Sequence, residues 1–309
     1  MLRAPLRLVP LCALGLAAPA LAQAPDFSKI QARVTKVAGN VYMIDGTGGF
    51  AGGNIGVSVG DDGVLIVDDQ FAPLAPKIQA ALAEVTQKPV RFVLNTHWHG
   101  DHTHGNSVFG QTATVIAHDN VRTRMLADEY YNGPPDKAPT PKVALPVITF
   151  AEGATVHVND EEIRALHTPP GHTDGDTVVF FTRSNVVHLG DNFFNGMFPF
   201  VDLESGGSTR GMITAVDQVL ARVKPDTRVI PGHGPVASVD ELRAYGAMLK
   251  DAVAIVDAGI KKGRTLEQLQ KDKVLAKYDA SHGGGFMKTD VFIQQVHNDL
   301  TGKKKNIGL

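Results

Sequence analysis

The sequence predicts an α/β protein of α+β type, with mixed sheets covered by helices. Short apolar runs of strand length are closed by Gly, Asp and Asn turns. Segments with helical spacing then interrupt those runs, and the alternation occurs twice along the chain. In addition, polar residues able to bind metal stand repeatedly where an apolar run stops.

Val34 to Ile44 alternates and reads as strands, and Asp45-Gly46-Thr47-Gly48-Gly49 and Gly52-Gly53 break the run with turns. Ile55–Val59 and Val64–Asp68 are two further strands joined by Asp61-Asp62-Gly63. Pro76 to Val85 carries helical spacing through Ile78, Leu82 and Val85, with the proline tolerated in a first turn. Val90–Leu94 and Ala113–Ala117 read as strands, and Asp119–Ala127 as a helix. Asn132 to Pro146 holds five prolines and reads as loop, of a length that either covers a site or only crosses the surface. Strands follow at 155–158, 162–166, 177–181, 186–189 and 227–230, with a helix over 209–222 before the last of them. Ser238-Val239-Asp240-Glu241 is a capping box opening a long helix to about Lys261, and the remainder is mostly helical.

Arg3 and Arg7, the apolar run Leu8–Leu16 and Ala20-Leu21-Ala22 read as a signal peptide over 1–22, too short to span a membrane. The expected organisation is that signal, a linker over 23–33, a catalytic domain over 34–237 and a helical segment over 238–309 packed on it. About 285 of the 309 residues remain after cleavage, enough for one large domain or a fused pair. The expected location is periplasmic or secreted. Cys12, the single cysteine, lies in the signal, so disulfides, thiolate metal ligands and a thiol nucleophile are excluded from the mature chain. A net charge of −2 offers no basic stripe for nucleic acid. No later stretch suits a membrane, and the expected partner is a small-molecule substrate. The sequence does not set the oligomeric state.

Asn95-Thr96-His97-Trp98-His99-Gly100-Asp101-His102 packs three imidazoles and a carboxylate directly after an apolar strand. His97 and His99, two apart in extended chain, share a face, and Gly100 lets the backbone turn so that Asp101 and His102 follow. Neutral imidazole and carboxylate suit zinc and its borderline neighbours. His172 in Pro170-Gly171-His172, Asp191 in Leu189-Gly190-Asp191 and His233 in Pro231-Gly232-His233 repeat one grammar: strand, break, ligand-capable side chain. Strand ends converge in space, so these belong to one site. His104, His118, His157, His167, His188, His282 and His297 read as surface or satisfied core positions.

This set, with His97, His99, Asp101 and His102 followed by His172, Asp191 and His233, resembles the metallo-β-lactamase superfamily over roughly Val34 to Gly234. Asp68 resembles the family's aspartate after an N-terminal strand. The resemblance implies a four-layer αβ/βα sandwich with the site along one edge of the paired sheets. It implies a first metal on His97, His99 and His172, a second on Asp101, His102 and His233, and Asp191 bridging the two. The implied cofactors are two Zn²⁺, with iron or manganese open as alternatives.

The implied chemistry is hydrolysis, with water acidified between two cations attacking an acyl carbon. Asp101 and Asp191 are the implied catalytic carboxylates. Cysteine-bearing metallo-β-lactamases carry Cys at the place of Asp191, followed by a substrate-gripping Lys; this chain has neither. The full set is most similar to glyoxalase II and lactonases, although glutathione-binding basic residues are not recognisable. An exported enzyme opening β-lactam amides is the leading expectation. A lactone, ester or thioester hydrolase is the alternative, and an iron-dependent oxygenase on the same fold is a third. Asn192, Phe193, Phe194 and Asn195 are expected to line the cleft, and Asp68 to stand behind the ligands. Trp98 is expected to pack beneath the metals or to face substrate.

Overall fold

A computed structural model of the chain describes residues 26–127 and 139–307. The expected signal peptide and the 132–138 part of the proline-rich loop lie outside the described residues.

The first sheet has seven strands in sequence order. β1 (Gln31–Ala38), β2 (Val41–Thr47), β3 (Ile55–Gly60) and β4 (Gly63–Val67) form an antiparallel meander. Helix α1 (Ala75–Ala83) then carries the chain to β5 (Val90–Leu94), parallel to β4. Two short helices, α2 (Gly100–Thr103) and α3 (Asn106–Phe109), precede β6 (Thr114–His118), and α4 (Asp119–Ala127) precedes the edge strand β7 (Ile148–Phe150). β6 and β7 extend the parallel part.

The second sheet begins with the antiparallel strands β8 (Gly153–Val158), β9 (Glu161–His167), β10 (Thr177–Phe181) and β11 (Val186–His188). After α5 (Thr209–Leu220), β12 (Arg228–Ile230) pairs parallel to β11, and β13 (Ala237–Ser238) closes the edge. The helices α6 (Val239–Lys261), α7 (Leu266–Lys271), α8 (Asp279–His282) and α9 (Thr289–Leu300) follow.

Strand alternation builds the layers. On β4, Val64 and Ile66 face α1 with Ile78 and Leu82, while Leu65 and Val67 face the second sheet. There they meet Ile163, Val179, Phe181 and Ile230 in a core between the sheets. The outer face of the second sheet, with Val178, Val187 and Val229, is covered by α5, α6 and α9 through Met212, Leu249, Phe292 and Val296. The order is helix, sheet, sheet, helix, as the resemblance implies.

Two boundaries differ from expectation. Gln31 to Arg33, expected in the linker, pair with Thr47 to Asp45, so β1 starts earlier and β2 runs through the expected turn to Thr47. Buried Ile30 anchors that start in the outer core. Cross-strand pairing thus overrides the turn chemistry of Asp45 and Gly46.

Candidate metal centre

The seven predicted ligands come together where strands of both sheets end. His97, His99, Asp101 and His102 follow β5, His172 lies between β9 and β10, Asp191 follows β11 and His233 follows β12. Their donor atoms form three overlapping groups: His97, His99 and His172; His97, His102 and Asp191; and Asp101, His102 and His233. Within each, the atoms lie within 4.8 Å of one another. Asp191 is central, with Oδ1 3.2 Å from His102 Nε2 and Oδ2 3.4 Å from both His172 Nε2 and His233 Nε2. Asp101 Oδ2 stands 3.4 Å from His233 Nε2 and 3.6 Å from His102 Nε2.

Hydrogen bonds on the far side of four rings fix which nitrogen faces inward. Thr96 Oγ1 donates to Asp68 Oδ2 (2.7 Å), so it accepts from His97 Nδ1 (3.0 Å) and leaves His97 Nε2 bare. His172 Nδ1 donates to the Phe200 carbonyl (2.8 Å), and His102 Nδ1 to Asp68 Oδ2 (2.8 Å). His99 is turned the other way: its Nε2 donates to Asp202 Oδ2 (2.9 Å), which directs Nδ1 into the site, 2.8 Å from His172 Nε2. Such outer partners set tautomer and ring orientation in metal-binding histidines. His97 Nε2 is buried with no hydrogen-bond partner, a costly state that a cation on its lone pair relieves.

The charges agree with that reading. Burial works against charge on His102 and His233, but Asp191 and Asp101 outweigh it, with Asp68 adding at His102; His102 is held well above its usual range and His233 at about 9. Burial likewise opposes ionisation of Asp101, yet His102 and His233 bring it down to about 2. Burial, with neighbouring histidines, keeps His97 and His172 neutral, the latter at about 4. Asp191, buried, and Asp101, half-buried, thus demand positive charge from ring nitrogens, and neutral rings stand ready beside them. The donor set fits two divalent cations.

The backbone is shaped around this cluster. Asp68 and Gln70 sit at φ +64° and +57°, an uncommon conformation that aims Asp68 at Thr96 and His102. A Cβ on Gly53 would lie 2.0 Å from the His102 ring, and one on Gly232 2.0 Å from Asp191 Oδ1. Only glycine allows those approaches.

A cavity of about 730 Å³ opens over the centre, with His99, Asp101, His172, Asp191 and His233 in its floor. Its walls are Phe50, Trp98, Phe194, Phe200 and Phe286, and Arg124 is the single Lys or Arg among its described lining residues. Both Arg124 Nε and Nη2 are held by Asp174, at 2.7 and 2.6 Å. Phe50 stacks on His233 with centroids 5.9 Å apart, and Phe286 leans on Phe194 at 6.1 Å. Both are exposed, 58% and 47%.

The expected cleft segment divides. Phe194 lines the cavity, whereas Phe193 is fully buried against Tyr245 and faces the helical core, a correction to its expected place. Asn192 is buried, its amide towards Thr168, and Asn195 donates to the Pro235 carbonyl, so neither lines the cavity. Strand-like alternation past Asp191 turns successive side chains to opposite faces. Trp98 stands on the cavity wall beside Arg124, rather than beneath the metal groups. His188 is satisfied by Asn54 O and Gly190 N. Phe50, Phe286, Arg124 and Asp202 were not anticipated; Phe50 at the tip of a glycine-rich turn is the one with a local signal.

A model described as the metallo-β-lactamase superfamily matches residues 34–233. The chain is 31% identical over 147 residues to a hydroxyacylglutathione hydrolase of Nitrosococcus oceani, covering 46% of this chain and 47% of that one. It is 22% identical over 280 residues to an atrochrysone carboxyl ACP thioesterase of Aspergillus fumigatus, covering 88% of this chain. The chain spans about half the length of these two relatives, 47% and 56%. Among solved structures, a metallo-β-lactamase from Pontibacter korlensis superposes with a TM-score of 0.58 at 18% identity, over 71% of this chain and 99% of that one.

Proposed function

The chain belongs to the metallo-β-lactamase superfamily and is a metal-dependent hydrolase, and on that premise we propose that it hydrolyses an ester, lactone or thioester carrying a bulky apolar group. The observation that carries this reading is the aromatic cavity over the ligand cluster, where the one Lys or Arg among the described lining residues, Arg124, is clasped by Asp174. A pocket so lined gains from burying rings and offers little to a free substrate carboxylate. Two relatives act, by their names, on thioesters, which supports the same reading.

We assign His97, His99 and His172 to one divalent cation, Asp101, His102 and His233 to a second, and Asp191 to both, zinc being the first candidate. Bound there, such ions supply Lewis acidity towards an acyl oxygen and acidify water. The chain's own groups do the rest. Asp101, ionised and partly open to the cavity, would meet the second cation through Oδ2, the oxygen beside His102 and His233, leaving Oδ1 to take a proton from the attacking water and hand it to the leaving group. Phe50, Phe194 and Phe286 exclude water and hold the apolar part of the substrate.

A β-lactam amide is the second reading; an exported location would favour it. Initial rates with and without a chelator decide, measured on an aromatic thioester, an aryl ester, a lactone and a chromogenic β-lactam. The proposal expects chelator-sensitive turnover at least tenfold faster, per kcat/KM, on an aromatic ester or thioester than on the lactam. Turnover of the lactam alone would overturn it.

A further inference from the structure

The segment after α9 lies outside the 34–233 family match, yet it reaches the ligand cluster. Asn306 Nδ2 donates to Asp202 Oδ1 at 2.7 Å, and its Oδ1 accepts from the Glu204 backbone N–H at 3.3 Å. Asp202 Oδ1 also accepts from Ser205 N at 2.9 Å, while Oδ2 takes His99 Nε2 at 2.9 Å. Ile307, buried beside it in the helical core, and the Lys303 N–H to Asn298 carbonyl bond (2.8 Å) anchor the segment.

We propose that Asn306 is a positioning residue for the metal centre, acting through Asp202 to hold His99 with Nδ1 inward. The reasoning is geometric. Of the other rings, His97 and His102 have the outer nitrogen tied by Thr96 and Asp68, and His172 by the Phe200 backbone carbonyl. His99 alone among the four depends on a carboxylate in the 201–207 loop, and that carboxylate is buried with a side-chain exposure of 4%. A buried carboxylate keeps one rotamer only when both oxygens are saturated. Asn306 supplies one of the two donors on Oδ1, and among the described residues it is the only side chain bonded there. Without it Asp202 is free to rotate towards the cavity, and His99 loses the partner that fixes its tautomer. Metal-ligand histidines lose about 10–100-fold in affinity when such outer partners are removed; for one step further out the lower end is expected.

This inference rests on the reading of His99 as a metal ligand, and the experiment separates the two. Apoprotein of the full chain is titrated with Zn²⁺ against a chromophoric chelator, and with Co²⁺ to record the visible band of the three-histidine group. Asn306→Ala is expected to weaken the tighter binding step about tenfold and to alter the cobalt band, with the apoprotein melting temperature unchanged. Asn306→Gln, which keeps the amide on a longer arm, is expected to recover part of the loss. Asp202→Asn is expected to be at least as damaging, and the double variant Asp202→Asn/Asn306→Ala no worse than Asp202→Asn alone. Additive losses, or metal affinity in Asn306→Ala within twofold of the parent, would overturn the proposal. Should Asn306→Ala destabilise the apoprotein, Asn306→Asp carries the same test, since it keeps the volume and removes the donor. A parent chain that binds no metal at the three-histidine group would overturn both readings.

Discussion

His99 carries the asymmetry of the centre: its inward atom is Nδ1, whereas His97, His102 and His172 present Nε2. Ring orientation is decided by the partner of the opposite nitrogen, and those partners come from three stretches of the chain: Asp68, Thr96, and the loop holding Phe200 and Asp202. In the proposed assignment Asp191 serves both cations, so Asp191→Ala is expected to lower bound metal from two equivalents to one with the fold retained. Elemental analysis beside far-UV circular dichroism reads this directly, and unchanged two-metal stoichiometry would remove Asp191 from its bridging role. The seven inward residues were legible because each stands just past a strand, His97 and His99 directly and the other five after a glycine, a local signal. Asp202 and Asn306 were not, because neither carries such a signal and their partners lie about a hundred residues away in sequence.

The elements owe their precision to ends. Helix α6 begins at a complete capping box, in which the Ser238 hydroxyl accepts from Glu241 N and the Glu241 carboxylate accepts from Ser238 N at 2.8 Å. Ser238→Ala is expected to cost about 1 kcal/mol, read as a shift in the urea midpoint at constant slope. The Ser238 backbone N–H, and next the Ser238 hydroxyl that the substitution removes, hold Glu241 below its ordinary 4.5. A lowered carboxylate stabilises the fold above that ordinary value and stops doing so as pH falls through its lowered one, so the penalty of Ser238→Ala is expected to shrink in acid.

β6 and β9 are joined across the sheets by His118 and His167, stacked with centroids 3.8 Å apart. Burial, then His167, pushes His118 below 6.5. The unfolded chain therefore takes a proton at His118 before the folded one does, and stability is expected to fall as pH drops below about 6.5. A His118→Asn variant is expected to show a shallower slope; an identical slope would remove His118 as its source. Long strands and helices were legible from periodicity. β7 and β13, of three and two residues, were not, since two or three residues carry no period and pairing alone makes them strands.

The whole molecule is two sheets back to back, with both sets of strand ends opening at one edge. A largely buried cluster of five histidines and two aspartates there must balance its carboxylates with protonated rings when no cation is bound. Chelator treatment is expected to lower the melting temperature by several degrees, and added Zn²⁺ to restore it, because a ligand bound only by the folded state stabilises it by mass action. The layer order was available only through the family resemblance, because β4 is apolar on both faces and its sequence does not show which residues face which layer. The cavity was not, for Phe50, Trp98 and Phe286 come from three loops whose meeting depends on the completed fold.

The central claim is that this edge holds two metals and hydrolyses an acyl bond beneath an aromatic roof. Metal content by mass spectrometry, on the same preparation used for aryl-ester and thioester turnover, tests it most directly. Two equivalents of zinc, with turnover lost on chelation and regained on re-addition, is the predicted result. One equivalent of iron, or turnover untouched by removal of all metal, would contradict it.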